Sequence, residues 1–314
     1  LDINVLGGTI HMTNIIKLNK DAEILPMADD MRFKLGLKRI GTEDKDGKFQ
    51  VFEGEQYMVM DITNDEPIWV VGGKFSVRDA EYYKAVDVTT EALIKLGMHD
   101  KCKVSDQMLE GKRKFIRKFT FDDITMTPDT RKVGDIIRYT VILRTSLDGS
   151  WVTSIQIYPE RLACLNGMTA VMEDMKLVYR WKHTAGFNVQ NLQRAFEVGI
   201  DTFQSLKPWF ETLNNREITV DQFKSLLKHT MFKKQAQKDA ELKDNKTFNW
   251  MIDQLVRESR DLGMTMYAVY NTLTHYSTHT PLRRSNTQLH NRVVTDESQI
   301  AMIVRSPEWQ RLVA

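Results

Sequence analysis

Apolar and polar residues follow a strand-like pattern in the first half of the chain and a helical one in the second. From Phe49 onward, short runs rich in β-branched and aromatic residues are separated by turn residues, which is typical of strands. The pair Asp148 and Gly149 predicts a hairpin between the last two runs. Strands are predicted over Gln56–Ile62, Ile68–Val71, Lys114–Phe121, Ile136–Arg144 and Ser150–Tyr158.

After about residue 162 the apolar residues recur at helical spacing. The pattern Thr219-x-x-Gln222 is a capping box and predicts the start of a helix. Further helices are predicted over Val88–Leu96, Leu162–Val178, from Val189, over Phe248–Val256 and Met264–Tyr276, and near Glu308. Strands followed by helices indicate an α+β fold, with an antiparallel sheet in the first half and a helical second half packed on it.

A length of 314 residues allows one large domain or two of ordinary size. We divide the chain into an N-terminal segment, 1–48, a mainly β region, 49–180, and a helical region, 181–314. We expect the last two to form one integrated domain. The content of 42% apolar and 27% charged residues is that of a globular protein and excludes a disulfide scaffold or a fibre. No apolar run reaches the roughly 18 residues of a membrane span, so we expect no membrane.

Charge is divided unevenly along the chain. Residues 1–100 contain 12 Lys and Arg against 18 Asp and Glu, which gives 12 − 18 = −6. Residues 101–314 contain 32 against 24, which gives 32 − 24 = +8. The excess is either ordinary solvated surface or a face that attracts a polyanion.

The most basic window runs from Lys112 to Phe119 and holds five cations and two aromatic residues. On a strand, Phe115, Arg117 and Phe119 share one face. Exposed rings stack on nucleobases and nearby cations bind phosphates, whereas an amphipathic strand would turn the same rings into the core. On the first reading, the window predicts nucleic-acid contacts by Lys112, Arg113, Lys114, Phe115, Arg117, Lys118 and Phe119.

A second group, Arg180, Trp181 and Lys182, joins two cations and an aromatic ring and is added to the predicted nucleic-acid surface. The alternative is a pair of cations beside a Trp181 ring that covers the core.

Other groups point to chemistry less directly. His275 and His279 have zinc-ligand spacing, but Tyr276 stands where a zinc peptidase needs glutamate, so we expect no metal. Cys164 and His183 are a conceivable nucleophilic pair without a local signature. No phosphate-binding glycine loop occurs, and we expect no cofactor.

Three stretches resemble the "phage/plasmid-like protein" family of bacteriophages and mobile elements. They run from Gly134-Asp135 through Asp148-Gly149 to Arg161-x-x-Cys164-x-Asn166, then Lys182-His183-Thr184, then Asn271 to His279. The resemblance implies a phage origin and the cytoplasm of an infected bacterium. Its order of sheet and helices is similar to that of single-strand annealing proteins of the RecT and Erf kind.

We therefore predict a phage protein that binds single-stranded nucleic acid, in annealing or recombination, as a homo-oligomer. The alternatives are a non-enzymatic protein that binds a host or phage protein, through charged helices such as 233–246, and an enzyme. The enzyme would gather Arg161, Cys164, Asn166, His183, Asn271 and His279 in one pocket. We expect Arg161 and Asn166 instead to fix a structural corner where a strand meets a helix.

Overall fold

The computed structural model of the chain describes residues 31–51, 56–72, 82–132, 135–157, 159–162, 166–167, 178–181, 189–237, 242–279 and 298–314. The predicted α+β class is confirmed, because antiparallel strands dominate the first half and helices the second. The described strands are β1 Leu35–Arg39, β2 Gly41–Glu43, β3 Phe49–Val51, β4 Gln56–Asp61, β5 Glu66–Gly72, β6 Lys103–Leu109, β7 Lys114–Met126, β8 Ile137–Ser146, β9 Thr153–Ile157, β10 Glu160–Arg161, β11 Asn166–Gly167 and β12 Val178–Trp181.

The described helices are α1 Tyr82–Lys95, α2 Val189–Ser205, α3 Lys207–Asn215, α4 Val220–His229, α5 Lys233–Ala236, α6 Lys246–Leu262, α7 Met266–His279, α8 298–305 and α9 Pro307–Val313. No helix in this part of the chain combines the length and apolar character needed to cross a membrane.

The chain divides into two compact units. The first draws on 1–120, 141–156 and 178–197, and the second on 121–140, 157–177 and 198–314. Each unit contains both strands and helical residues, so the unit boundaries differ from the predicted divisions after residues 48 and 180.

The first unit contains two sheet regions. One is a three-stranded antiparallel sheet in the order β1-β4-β5, and β2 and β3 form a separate hairpin. In the other, β6 pairs with β7 so that Val104 lies opposite Phe119 and Asp106 opposite Arg117. Helix α1 buries one stripe at helical spacing, which includes Ala85, Val86, Ala92 and Leu93.

The second unit has an aromatic core between helices. The Tyr270 ring packs edge-on against Trp209 and Trp309, at centroid distances of 5.0 and 6.4 Å. The predicted capping box is confirmed at the start of α4, where Thr219 and Gln222 bond reciprocally. Helix α6 begins at the cap Asn245, whose Oδ1 accepts a hydrogen bond from the Phe248 amide.

The helix predicted over Leu162–Val178 is wrong wherever the structure describes it. Asn166 lies in β11 opposite Arg161 of β10, and Val178 lies in β12 opposite Gln156. The residues 163–165 and 168–177 lie outside the described part. The error has a physical reason, since a short apolar run suits a buried strand and a buried helix equally well.

Candidate functional site

From Lys114 onward, the basic window belongs to β7, which is hydrogen-bonded to β6. Its aromatic rings face the core. Phe115, Arg117 and Phe119 do share one face, and each is 0% exposed. The Phe119 ring packs edge-on against Phe196 at 6.4 Å. The expectation that Phe115 and Phe119 are exposed for stacking on nucleobases is therefore wrong, because burying them in the core stabilises the fold more than exposing them would.

The cations at the start of the window are held by acidic side chains. Lys112 Nζ lies 2.6 Å from both Asp61 Oδ2 and Glu66 Oε2. Arg113 lies 2.8 Å from Asp148 Oδ2, and its guanidinium stacks 3.6 Å from the centroid of the Trp69 ring. Both cations are already neutralised within the fold.

Deeper in the window, two more cations are buried with their partners. Lys114 is 1% exposed and lies 2.9 Å from Glu110, and Arg117 lies 3.3 Å from Asp106. Across the window, four cations thus face five carboxylates. Positive charge that is paired in this way attracts a polyphosphate less strongly. The nucleic-acid contacts of Lys112, Arg113, Lys114 and Arg117 stay a prediction. Lys118 is half-buried on the opposite face.

The second predicted group is only partly described. Arg180 and Trp181 lie in β12, opposite Ser154 and Thr153 of β9, and their side chains fall outside the described residues. Lys182 also lies outside them. A nucleic-acid role for these three residues stays a prediction.

A buried ionic cluster joins β10 to the helices of the second unit. Arg161, which is 2% exposed, donates from Nε to Asp135 Oδ1 at 2.6 Å. The Tyr267 hydroxyl donates to the other oxygen of Asp135 at 2.9 Å. Arg161 Nη1 lies 3.4 Å from Asn271 Oδ1 and 3.5 Å from Glu258 Oε2.

Burial in this cluster raises the pKa of two of its side chains, Tyr267 and Glu258. Burial, reinforced by the neighbouring Asp135 carboxylate, raises the pKa of Tyr267 well above its ordinary value, so its hydroxyl stays a donor. Burial also raises the pKa of Glu258, although Arg161 opposes the shift. The carboxylates and the amide oxygen turn the guanidinium inward, so the cluster holds β10 against α6 and α7 inside the unit.

Of the residues assigned to an enzymatic pocket, the structure brings Arg161 and Asn271 together. Asn166 lies opposite Arg161 in the strand pair, with its side chain outside the described residues. Cys164, His183 and the His279 side chain also lie outside them. Arg161 and Asn166 lie in paired strands and not at the start of a helix, which corrects the predicted strand-to-helix corner.

Sequence analysis missed the acidic partners Asp135 and Glu258. A signal for Glu258 was present, since it falls on the buried stripe of α6 with Met251, Leu255 and Leu262. A charged residue at such a position needs a partner of opposite charge. The sequence alone does not show which arginine Asp135 or Glu258 binds.

Positive charge without an ion pair among the described residues lies on exposed lysines of the first unit, such as Lys45 and Lys101, and also on helices of the second unit. Lys228, Lys233, Lys234 and Lys246, which we call the lysine cluster, form no ion pair with another residue that the structure describes. Lys228 is half-buried and the other three are exposed. They lie on α4, α5 and α6, and α4 contacts both of the other helices.

A cavity of about 440 Å³ lies beside the lysine cluster. Its lining includes Lys246, the apolar Met231 and Phe232, and the amide side chains Gln235 and Gln299. The volume is within the range of small-molecule sites in proteins.

A family model described as a domain of unknown function (DUF932) matches residues 82–298, which is more than half of the chain. The chain belongs to the DUF932 family. No curated protein and no solved structure matches the chain. This match confirms the prediction that the chain belongs to an uncharacterised protein family.

The DUF932 segment begins at Tyr82, the first residue of α1. It contains the Arg161 cluster and the lysine cluster, whereas β1 to β5 precede it. The carboxylates that neutralise Lys112, from Asp61 and Glu66, therefore come from outside the DUF932 segment.

Proposed function

We propose that this DUF932 protein binds single-stranded nucleic acid through its backbone phosphates, and that the lysine cluster is the phosphate-binding surface. One observation supports the proposal above others. The four lysines of the cluster have no ionic partner among the described residues and lie on three helices, of which α4 contacts the other two, while four cations of the basic window are matched by carboxylates.

This contrast matters because a cation must be available to a phosphate to contribute to binding. A lysine already paired with a carboxylate gives up that pair when it binds a phosphate, so the net gain is small. A solvated lysine that binds a phosphate releases counterions from the strand, which favours association at low salt. The mechanism needs no catalytic residue and no aromatic ring.

The resemblance to phage/plasmid-like proteins supports the wider setting of this proposal. In that setting, the protein acts in the cytoplasm of an infected bacterium during DNA annealing or recombination. It acts as a homo-oligomer, because four lysines in one subunit contact few nucleotides.

A second candidate is binding of a protein partner from the host or the phage. It is favoured by exposed apolar side chains in the first unit, where Trp69 is 45% and Ile62 49% exposed. Ile62 follows β4 in a turn and Trp69 lies in β5, and exposed apolar side chains that form one patch are typical of interaction surfaces. Retention of a partner from lysate after nuclease treatment supports this candidate, and loss of all retained material supports nucleic acid.

The direct test is an anisotropy titration of a labelled oligo(dT) at low salt. The variant Lys233→Ala, Lys234→Ala, Lys246→Ala removes three exposed charges of the cluster. We expect its affinity to fall on the order of 100-fold, since each charge contact in water contributes about 1 kcal/mol.

The matched control is Lys45→Ala, Lys48→Ala, Lys101→Ala, which removes the same charge from exposed positions in the first unit. We expect it to bind like the wild type. Absence of binding by the wild-type protein at low salt overturns the proposed function. Equal losses in the two triple variants overturn the assignment to the lysine cluster.

A further inference from the structure

The cavity beside the lysine cluster is built mainly from polar side chains. Asp244, Asn245 and Lys246 line it at the start of α6, Gln235 lines it from α5, and Gln299 lines it from α8. Phe232 and Tyr276, each 5% exposed, contribute apolar surface. A polar cavity of about 440 Å³ with a small aromatic contribution suits a ligand that is flat, polar and hydrogen-bonding.

Two amides in the lining have hydrogen-bonding capacity that no other described residue uses. The side chains of Gln235 and Gln299 form no hydrogen bond with any other residue in the described ranges. Each carboxamide offers two donor hydrogens and one acceptor oxygen. This is the set with which glutamine recognises the edges of nucleobases.

Two charged residues of the lining, Asp244 and Lys246, favour different parts of one ligand. Lys246 attracts a phosphate, and Lys233 and Lys234 immediately precede Gln235 along α5. Asp244 repels a phosphate, but its carboxylate accepts hydrogen bonds from the amino or imino groups of a base. The lining therefore combines acceptors and donors for a base with a cation for the adjoining phosphate.

We infer that the cavity holds one nucleotide of a bound strand, with the base against Gln235 and Gln299 and the phosphate at Lys246. The inference rests on the proposed function and adds a reason why the strand is single. Bases in a duplex are paired and stacked, whereas an unpaired base swings out of the strand and enters a pocket at lower cost.

The test compares oligo(dT) with an abasic oligonucleotide of the same length and charge, using the wild-type protein. We expect oligo(dT) to bind more tightly by about fivefold or more, the effect of one net hydrogen bond. Equal affinity for the two probes overturns the nucleotide cavity while leaving phosphate binding intact. Binding of neither probe at low salt overturns the proposed function itself, so the two failures are distinguishable.

The variant Gln235→Ala, Gln299→Ala tests the assigned residues. We expect it to lose the preference of about fivefold or more for oligo(dT) and to bind the abasic probe like the wild type. The control is Gln237→Ala, an exposed glutamine outside the lining that should keep the full preference. A double variant that retains the full preference overturns the assignment. Gln235 is exposed and Gln299 half-buried, so the double variant is expected to fold.

Discussion

The ammonium group of Lys112 lies 2.6 Å from Oδ2 of Asp61, a carboxylate whose side chain has no exposed surface. The same ammonium group lies 5.0 Å from the centroid of the Phe33 ring. Lys112 belongs to the most basic stretch of the chain, yet its charge is paired with carboxylates of the first unit. The basic window is therefore part of the structural framework, and positive charge available for a ligand has to be sought elsewhere.

Replacing Lys112 with alanine is expected to destabilise the protein. The change leaves the buried Asp61 carboxylate with its Asn64 bonds only, and loss of a hydrogen bond to a charged group costs about 1.5–3 kcal/mol. Urea unfolding at neutral pH measures the effect. The control Lys38→Ala removes a pair with the exposed Asp65 and should leave the unfolding midpoint unchanged. Equal midpoints for Lys112→Ala and the wild type would contradict the structural role.

Phe119→Ala is expected to reduce the free energy of unfolding by about 3–5 kcal/mol, because it opens a cavity in the core beside Phe196. The matched control is Phe49→Ala in β3, since the Phe49 side chain is 57% exposed. Thermal or urea denaturation compares the two variants. Similar small effects at both positions would show that the Phe119 ring is not in the core.

The stability of the first unit should depend on the ionisation of Asp61. Burial raises the pKa of Asp61, but hydrogen bonds from Asn64 and Lys112 outweigh burial and hold the pKa below its ordinary value. Because the folded state favours the ionised carboxylate, its stabilising effect is complete above the ordinary pKa of about 3.9 and is lost as the pH falls through the lower folded value.

The variant Asp61→Asn measures this dependence. We expect it to be less stable than the wild type at neutral pH, and the difference in unfolding free energy should shrink as the pH falls below about 4. The control Asp65→Asn changes an exposed carboxylate and should follow the wild type throughout. A difference between Asp61→Asn and the wild type that is constant over this pH range would disprove the linkage.

The Arg161 cluster should act as a structural joint. In Arg161→Leu, the buried Asp135 keeps the hydrogen bond from the Tyr267 hydroxyl but loses the one from the guanidinium, and breaking such a buried pair costs about 3–5 kcal/mol. In a double-mutant cycle with Asp135→Asn, urea unfolding should give a coupling energy of about 1 kcal/mol or more. The control Lys132→Ala breaks an exposed pair with Asp261 and should have little effect. Strictly additive effects of Arg161→Leu and Asp135→Asn on the free energy of unfolding would contradict the structural role of this ion pair.

Local patterns predicted most of the described secondary structure and little of the site. The alternation of Phe115, Arg117 and Phe119 correctly placed them on one face, but a period of two does not say which face meets solvent. Their burial depends on residues distant in sequence, such as Phe196. The neutralising carboxylate Asp61 lies 51 residues before Lys112, and no local pattern pairs them.

In the helical half, too, local features were predicted and contacts between distant residues were not. The capping box at Thr219 fixed the start of α4, because both partners lie within one turn. The strand pair of Arg161 and Asn166 was predicted as a corner where a strand meets a helix, since β10 and β11 have only two residues each. The lysine cluster is defined by lysines that form no ion pair with another described residue, which the excess of +8 over residues 101–314 did not reveal.

The central claim is that phosphates bind at Lys228, Lys233, Lys234 and Lys246, and the salt dependence of oligo(dT) affinity tests it most directly. A slope of about −0.7 per contact on a single strand gives about −3 for four contacts in a plot of log affinity against log salt. The variant Lys233→Ala, Lys234→Ala, Lys246→Ala should reduce this slope to about −0.7, and the control Lys45→Ala, Lys48→Ala, Lys101→Ala should retain it. Identical slopes for the cluster variant and the wild type would contradict the claim.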